Sequence, residues 1–268
     1  RVDYGRLDTA NSPVRIRLNS TAVNIAHTTD QKYVDVTYSR QGQIERVRGR
    51  HVIYAGYHNL LPHIMPELPA EQTAAIQSVT KVPLVYINIA LRNWKSFAGL
   101  GIHEVRVAQP ELMHSFGMDF PVSMGGYQYT SNPDQPVVVH GTYVPALPDT
   151  GLSAFEQHKA GRRQLYEMTY SDFEEKIFRQ MNGALGGGGF EAERDVAAVT
   201  VNRWPHGYAY EYNEYWDDPS FGPDKGPHIT ARKQVGRISI GNSDASGYAY
   251  VDGAIDAADR AVNEQFKQ

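Results

Sequence analysis

Residues 204–215, WPHGYAYEYNEY, set four tyrosines and a tryptophan beside two glutamates. Trp204, Tyr208, Tyr210 and Tyr212 offer aromatic faces, and Glu211 and Glu214 offer carboxylates. No Lys or Arg occurs between Pro205 and Asp224. Carboxylates pair ammonium groups and aromatic faces attract cations, so such a segment suits a polycationic amine. The bland reading is a solvated acidic loop with tyrosines packed beneath it. His206, between Pro and Gly, fits three roles: a base beside the substrate, a haem ligand, or a structural histidine.

A second stretch, residues 236–262, reads GRISIGNSDASGYAYVDGAIDAADRAV. A short strand passes through small polar residues and glycines into a helix, with Ala254, Ala257, Ala258 and Ala261 allowing close packing. A strand, a Gly-rich turn and a helix N-terminus are how α/β proteins hold a phosphate or an electron-rich ring. Neither a G-x-G-x-x-G nor a G-x-x-x-x-G-K-[ST] motif occurs, nor a G-x-S-x-G nucleophile elbow. The glycines of 183–190, GALGGGGF, follow a helical pattern rather than a strand and read as a flexible connector.

Positioning these residues takes a sizeable fold. The 268 residues, 41% hydrophobic and 21% charged, suit one large domain or two ordinary ones. A formal net charge of -4 argues against nucleic acid as a partner, and no apolar run is long enough to span a bilayer. Without cysteine there is no disulfide, thiolate metal site or Cys nucleophile. No H-x-x-x-H or H-x-H pair marks a metal site, and none is expected. The 17 tyrosines against 9 phenylalanines are in keeping with a polar pocket. The chain opens on Arg-Val-Asp-Tyr, which suggests a processed or truncated protein.

Alternation predicts β structure from Val14, through Ile16 and Leu18, restarting at Val23 and Ile25. Val34, Val36 and Tyr38 mark a second strand, Gln41-Gly42 a turn, and Ile44 to Val47 a third strand. Residues 51–56, HVIYAG, read as a strand buried in a parallel sheet. Pro69 and Glu71 open a helix. The most β-rich run is 82–94, with further strands at 102–107, 136–144 and 195–204, and one or two amphipathic helices over 154–183. The order predicts a domain interrupted by another, with a ligand at the seam.

Taken together, these segments resemble the FAD-dependent amine oxidases and dehydrogenases, nearest the bacterial spermidine dehydrogenase branch. The resemblance rests on VRIRLNST, RHVIYAGYHNLLPHIMPELP, KVPLVYINIALRNW, DFPVS, RWPHGYAYEYN and IGNSDASGYAYVDGAIDAADRAV. It implies a mixed α/β (α+β) fold: the C-terminal part of a two-domain flavoprotein. Residues 1–58 and 235–268 would belong to the FAD-binding domain and 59–234 to a mixed-sheet substrate domain. The N-terminal G-x-G-x-x-G unit is missing, so the expected partner is that absent half.

The resemblance further implies FAD as cofactor and hydride transfer from an amine, such as spermidine, to the flavin. Lys81 would hold a water near the flavin; the bland reading is a surface lysine at a strand start. Asp244 would bond the flavin's ribityl or phosphate linker, against an ordinary Asx turn. Trp204 and Gly241 would line the cofactor. At the helix start Tyr250, Val251 and Asp252 would meet the ring with backbone amides, and Gly253 and Ala254 would let the backbone come close; the bland reading, which could hold as well, is that Asp252 caps the helix. His206, Tyr208, Tyr210, Glu211 and Glu214 would contact substrate. Some relatives carry haem, which makes His58, His63, His114 and His206 candidate ligands. A non-amine substrate, a cofactor-free fragment and a homo-oligomer stay open, as does location in bacterial cytoplasm or periplasm.

Overall fold

A computed structural model describes residues 3–215, 217–222 and 224–267. In chain order come β1 (Ser20–His27), β2 (Val34–Arg40), β3 (Gln43–Gly49), β4 (Val52–Tyr54), α1 (Leu61–Ile64) and α2 (Ala70–Ser78). They are followed by β5 (Leu84–Leu91), α3 (Lys95–Leu100), β6 (Glu104–Arg106), β7 (Ser115–Met118) and β8 (Val137–Tyr143). Next are α4 (Ala154–Glu167), α5 (Tyr170–Leu185), α6 (Ala192–Asp195) and β9 (Val196–Trp204). The chain ends with α7 (Pro227–Ala231), β10 (Ile238–Ile240) and α8 (Val251–Gln265). No helix among the described residues is long and apolar enough to cross a membrane.

The chain forms two compact units. One joins the residues up to Val79 with those from Ala209 onward; the other is Thr80–Tyr208. These divisions differ from boundaries at 58/59 and 234/235, for a packing reason. Leu61, Met65 and Ile76, from α1, α2 and the turn between them, are fully buried in the first unit's core. Ala231 of α7 joins the same core, and Gln72 of α2 donates to the carbonyls of Ala231 and Lys233.

In the first unit β1, β2 and β3 form an antiparallel meander. Its second hairpin turns at Gln41 and Gly42, both left-handed (φ 51° and 77°), as a tight two-residue turn requires. Val34 and Tyr38 point inward, as their alternation predicts. Residues 14–18, expected as strand, lie outside any strand, and Val14 is 82% exposed. An ionic knot organises the stretch instead. Asp8 accepts from Arg15 (2.6 Å), Arg40 (2.8 Å) and the Leu18 amide (3.1 Å). β4 pairs in parallel with β10, Val52 opposite Ile238 and Tyr54 opposite Ile240. α8 lies against this pair so closely that a Cβ on Gly241 would come within 2.7 Å of the Ala261 methyl.

The second unit is built on one antiparallel sheet in the order β6-β7-β8-β5-β9. Val85, Ile87, Ile89 and Leu91 face the core on β5, where they meet Phe173, Ile177, Met181 and Leu185 of α5. That helical set recurs every four residues, one stripe of an amphipathic helix. Capping boxes at Ser153/Glu156 and Thr169/Asp172 start α4 and α5, so 154–183 is two helices. β7 has no counterpart among the expected strands, because four residues with a central glycine carry too little β signal. The glycine-rich 183–190 connector is packed at Gly188 and at the buried Phe190. A Cβ on Gly188 would sit 2.5 Å from the Ser96 carbonyl oxygen.

A buried carboxylate joins the start of β9 to the end of β5. Asp195 accepts from Arg194 (2.7 Å), Asn93 (3.0 Å) and the Glu191 amide (3.0 Å). The Arg194 hydrogen bond is the chief reason its pKa is lowered to about 2. A carboxylate depressed in the fold contributes stability above its unfolded pKa and loses it as pH falls through the folded one. The second unit is expected to lose on the order of 2 kcal/mol between about pH 4 and pH 2. Denaturant unfolding across that window checks this, and Asp195→Asn should flatten the dependence.

Candidate functional site

The strand-turn-helix of the first unit is held from within by one side chain. Asp244, buried at 4% exposure, accepts the amides of His58 (3.0 Å) and Tyr210 (3.3 Å). These donors lie 186 and 34 residues away, so the carboxylate clamps three separate segments rather than forming a local Asx turn. Asn242 takes the local role, accepting the Ala245 amide at 3.0 Å and donating to the Gly56 carbonyl. Tyr54 donates to the Tyr57 carbonyl at 2.7 Å. Its hydroxyl is pushed up to about 12 by burial first and the Asp244 charge second.

Beyond this turn, α8 begins at Val251 with Tyr250 as its N-cap residue, and no side chain caps its first turn. Asp252 therefore does not cap; it is an exposed acid in that turn. Tyr250 is 60% exposed and Val251 77% exposed, at an end where the helix dipole is positive. Tyr248 and Tyr250 lie 4.9 Å apart, ring to ring. Gly253 makes this possible, since a Cβ there would meet the Tyr248 ring at 2.8 Å. Ala254 closes the first turn through its amide to the Tyr250 carbonyl. Amide donors beside exposed aromatic and apolar side chains suit a flat, electron-rich ring.

Tyr210, Glu211 and Glu214 belong to the same unit. Tyr210 is buried, and its hydroxyl donates to Asp217 at 3.2 Å. Burial, then the Asp217 charge, raises its pKa. Asp217 also accepts the Asn213 amide, and Asp218 accepts the Ser220 amide, so part of the acidic run serves its own loop. Glu211 and Glu214 are exposed.

Lys81, Trp204, His206 and Tyr208 belong to the second unit. Lys81 is buried at 3% exposure rather than lying on the surface; its Nζ donates to the Tyr208 carbonyl at 3.4 Å. Its own carbonyl accepts from Arg162 at 2.7 Å. Burial, then the Arg162 and Lys81 charges, lowers the His206 pKa and favours neutral imidazole. Gly207 brings this chain over the start of β5, donating to the Val82 carbonyl at 2.7 Å. A Cβ at Gly207 would lie 2.8 Å from that oxygen. Trp204 and Tyr208 are half exposed, and Tyr208 bonds hydroxyl to hydroxyl with Tyr86. Burial, then the Tyr208 bond, pushes Tyr86 up to about 12.

Tyr86, Asn88 and His140 were not singled out from sequence. Each follows the even positions of an alternating strand, which marks a face but not which strand lies beside it. Of the histidines considered for haem, His114 bonds the Val144 carbonyl through Nε2 (3.1 Å) and stacks on Tyr143. Among the described residues, no group of three or more His, Cys, Asp or Glu is placed to hold a metal ion.

A family model described as flavin containing amine oxidoreductase matches residues 6–264. No curated protein matches the chain. Putrescine oxidase bound to putrescine superposes with a TM-score of 0.57 at 14% identity, covering 93% of this chain and 49% of that one. A triple variant of that enzyme, from a redesign of cofactor binding, gives 0.60 at 15% identity, with coverages of 93% and 49%. Cyclohexylamine oxidase from Brevibacterium oxydans IH-35A gives 0.56 at 15% identity, with coverages of 92% and 48%. These likenesses establish a shared mixed α/β fold. The chain spans about half the length of the structures it matches.

Removing the Asp244 carboxylate leaves the buried His58 and Tyr210 amides without their acceptor. Asp244→Ala is expected to cost the first unit about 2–6 kcal/mol, at about 1–3 kcal/mol for each of the two unsatisfied donors. Asp244→Asn keeps one oxygen and should cost about half as much; chemical denaturation of both variants measures the difference.

Proposed function

The chain belongs to the flavin-containing amine oxidoreductase family, and we propose that it forms part of an enzyme that uses FAD to oxidise an amine. The observation that carries this reading is the first unit's strand-turn-helix. Asp244 clamps the turn, and α8 opens with uncapped amides among exposed aromatic and apolar side chains. In this reading the amides of Val251, Asp252 and Gly253, with Tyr250, hold the electron-rich edge of the ring, and Ala254 lets the backbone come close. Their partial positive charge favours the reduced, more negative form. Gly241 seats α8 close behind, and Asp244 holds the turn.

The flavin, when bound, takes up a hydride equivalent from the carbon beside the amine nitrogen. The chain's own residues prepare the amine. His206, favoured neutral by burial and by the Arg162 and Lys81 charges, can accept an amine N–H. Lys81, anchored on the Tyr208 carbonyl, can hold a water beside the reacting carbon. Tyr208 offers a half-exposed face to the substrate, and Tyr210 supports the segment through Asp217.

We assign the first unit's strand-turn-helix to the flavin, and Lys81, His206 and Tyr208 of the second unit to the substrate. The dinucleotide cradle is assigned to the partner half that carries the glycine fingerprint. A polyamine such as spermidine, as in the spermidine dehydrogenases, is the substrate that Glu211 and Glu214 would favour, since both carboxylates are exposed. Haem forms no part of this reading.

Anaerobic mixing of the flavin-loaded natural protein with amines tests the proposal. An amine substrate should bleach the oxidised-flavin absorbance, and absence of bleaching with every amine would refute the reading. Lys81→Met is expected to slow bleaching by about 10²-fold, the scale of a lost positioning contact, while leaving the flavin bound.

A further inference from the structure

The glycine-rich connector after α5 packs beside the far end of β5. Arg92, which follows β5, and Lys95 and Ser96 of α3 there face Gly188 and Gly189 across a cavity of about 410 Å³. No apolar side chain stands in its lining. β5 is eight residues long, so its two ends lie about 20 Å or more apart. The cavity is therefore remote from Lys81 and Tyr208, which lie by the start of that strand.

The cationic groups in the lining are not all engaged. Arg194 is: it donates to Asp195 at 2.7 and 3.0 Å and to the Gly189 carbonyl at 2.5 Å, and it pairs with Glu191 at 3.2 Å. Its charge and that of Asp195, the one carboxylate in the lining, offset each other. Lys95 pairs with Asp134, but both side chains are exposed, and an exposed pair holds its members weakly. Arg92 is exposed, and its guanidinium has no ion-pair or hydrogen-bond partner among the described residues.

Ser96 is the second observation. It is only 4% exposed, yet its hydroxyl has no hydrogen-bond partner among the described residues. Buried hydroxyls are as a rule bonded, and this one belongs to the cavity wall. Gly189, left-handed at φ 83°, forms part of the opposite wall, and a Cβ there would meet nothing within 4 Å. Two cations and a hydroxyl thus border one space that supplies them with no acceptor.

We propose that this cavity binds a small hydrophilic phosphomonoester, such as a phosphorylated sugar, with Arg92 and Lys95 holding the phosphoryl oxygens and the Ser96 hydroxyl donating to one of them. A phosphoryl group carries up to two negative charges, which the two cations match, and a guanidinium fork fits its oxygens. A carboxylate would leave one cation unmatched. The volume lies in the range of small-molecule sites and leaves room beyond the phosphoryl group. Polar walls favour a remainder rich in hydroxyls, since an apolar one would gain nothing by burial there. This site and the amine-oxidising reading do not depend on each other.

Calorimetric titration and thermal unfolding test the assignment on the flavin-loaded protein in its full natural chain, where the bound flavin occupies the dinucleotide phosphate cradle. The probes are glucose 6-phosphate, glucuronate, glucose and inorganic phosphate. Glucose 6-phosphate should raise the Tm and bind about tenfold or more tightly than each of the others, the scale of one charge-assisted hydrogen bond. Arg92→Gln alters an exposed side chain and keeps the Arg92 amide's bond to the Asp195 carbonyl. It should raise the Kd about tenfold, and Ser96→Ala about fivefold. Arg92→Lys should recover part of the loss, and all three variants should leave amine-driven bleaching of the flavin unchanged.

No binding of glucose 6-phosphate, equal binding of glucuronate or inorganic phosphate, or a Kd that Arg92→Gln leaves unchanged would overturn the proposal. Should glucose 6-phosphate bind through Arg92 while no amine reduces the flavin, the cavity assignment stands and the amine reading falls.

Discussion

A carboxylate enclosed in the first unit sets the terms for everything near it. Asp244 gives up water, which costs several kcal/mol for a charged group unless hydrogen bonds replace it. The replacement comes from main-chain amides of His58 and Tyr210, contributed by segments remote in sequence. Charge-assisted bonds of this kind are stronger than neutral ones and fix the acceptor's position. The exit from β4, the aromatic segment and the turn before α8 are thereby held to one point. Gly241 and Gly253 then let α8 and Tyr248 approach without a Cβ in the way. The helix start is presented with its amides and its apolar side chains outward.

The second unit solves a different problem. Its sheet buries one face most deeply at β5, where Val85, Ile87, Ile89 and Leu91 join the core with α5. The opposite face carries Tyr86, Asn88, His140, Thr142, Thr200 and Asn202, in rungs that match strand for strand. Because burial on the first face pins the register, the polar groups on the second are placed to within a hydrogen bond. Packing therefore decides where the reactive side chains stand. The apolar stripe of α5 and the Asn88–His140 contact depend on the same alignment of β5 with β8.

Each unit carries its own polar surface. One unit offers donors suited to an electron-rich ring; the other offers aromatic and imidazole groups suited to an amine. Lys81 illustrates the cost of burying a charge, since a lysine is seldom this buried without a partner. Here the Tyr208 carbonyl receives its ammonium, and Gly207 lets that chain pass close above β5.

Much of this was legible in the residues themselves. The meander, β5, α4 and α5, the parallel strand at 52–54 and the strand-turn-helix at 238–265 announce themselves through alternation, capping residues and glycines. Those signals are local, so adjacent residues suffice to read them. The family, too, was readable from segments taken as a set. Val14 and Ile16 misled because alternation shows only that a strand could form, and here no neighbouring strand pairs with them. Asp244 was placed correctly in a turn, but its bonds reach 34 and 186 residues along the chain, which no local pattern encodes. Likewise a period of two assigns His140, Asn88 and Gly117 to a face without saying that they share a rung. The sequence by itself determined which elements form and which sides they bury, because those follow from local propensity and hydrophobic period. Only the tertiary structure decided which polar groups meet, because strand pairing and register are settled by long-range packing.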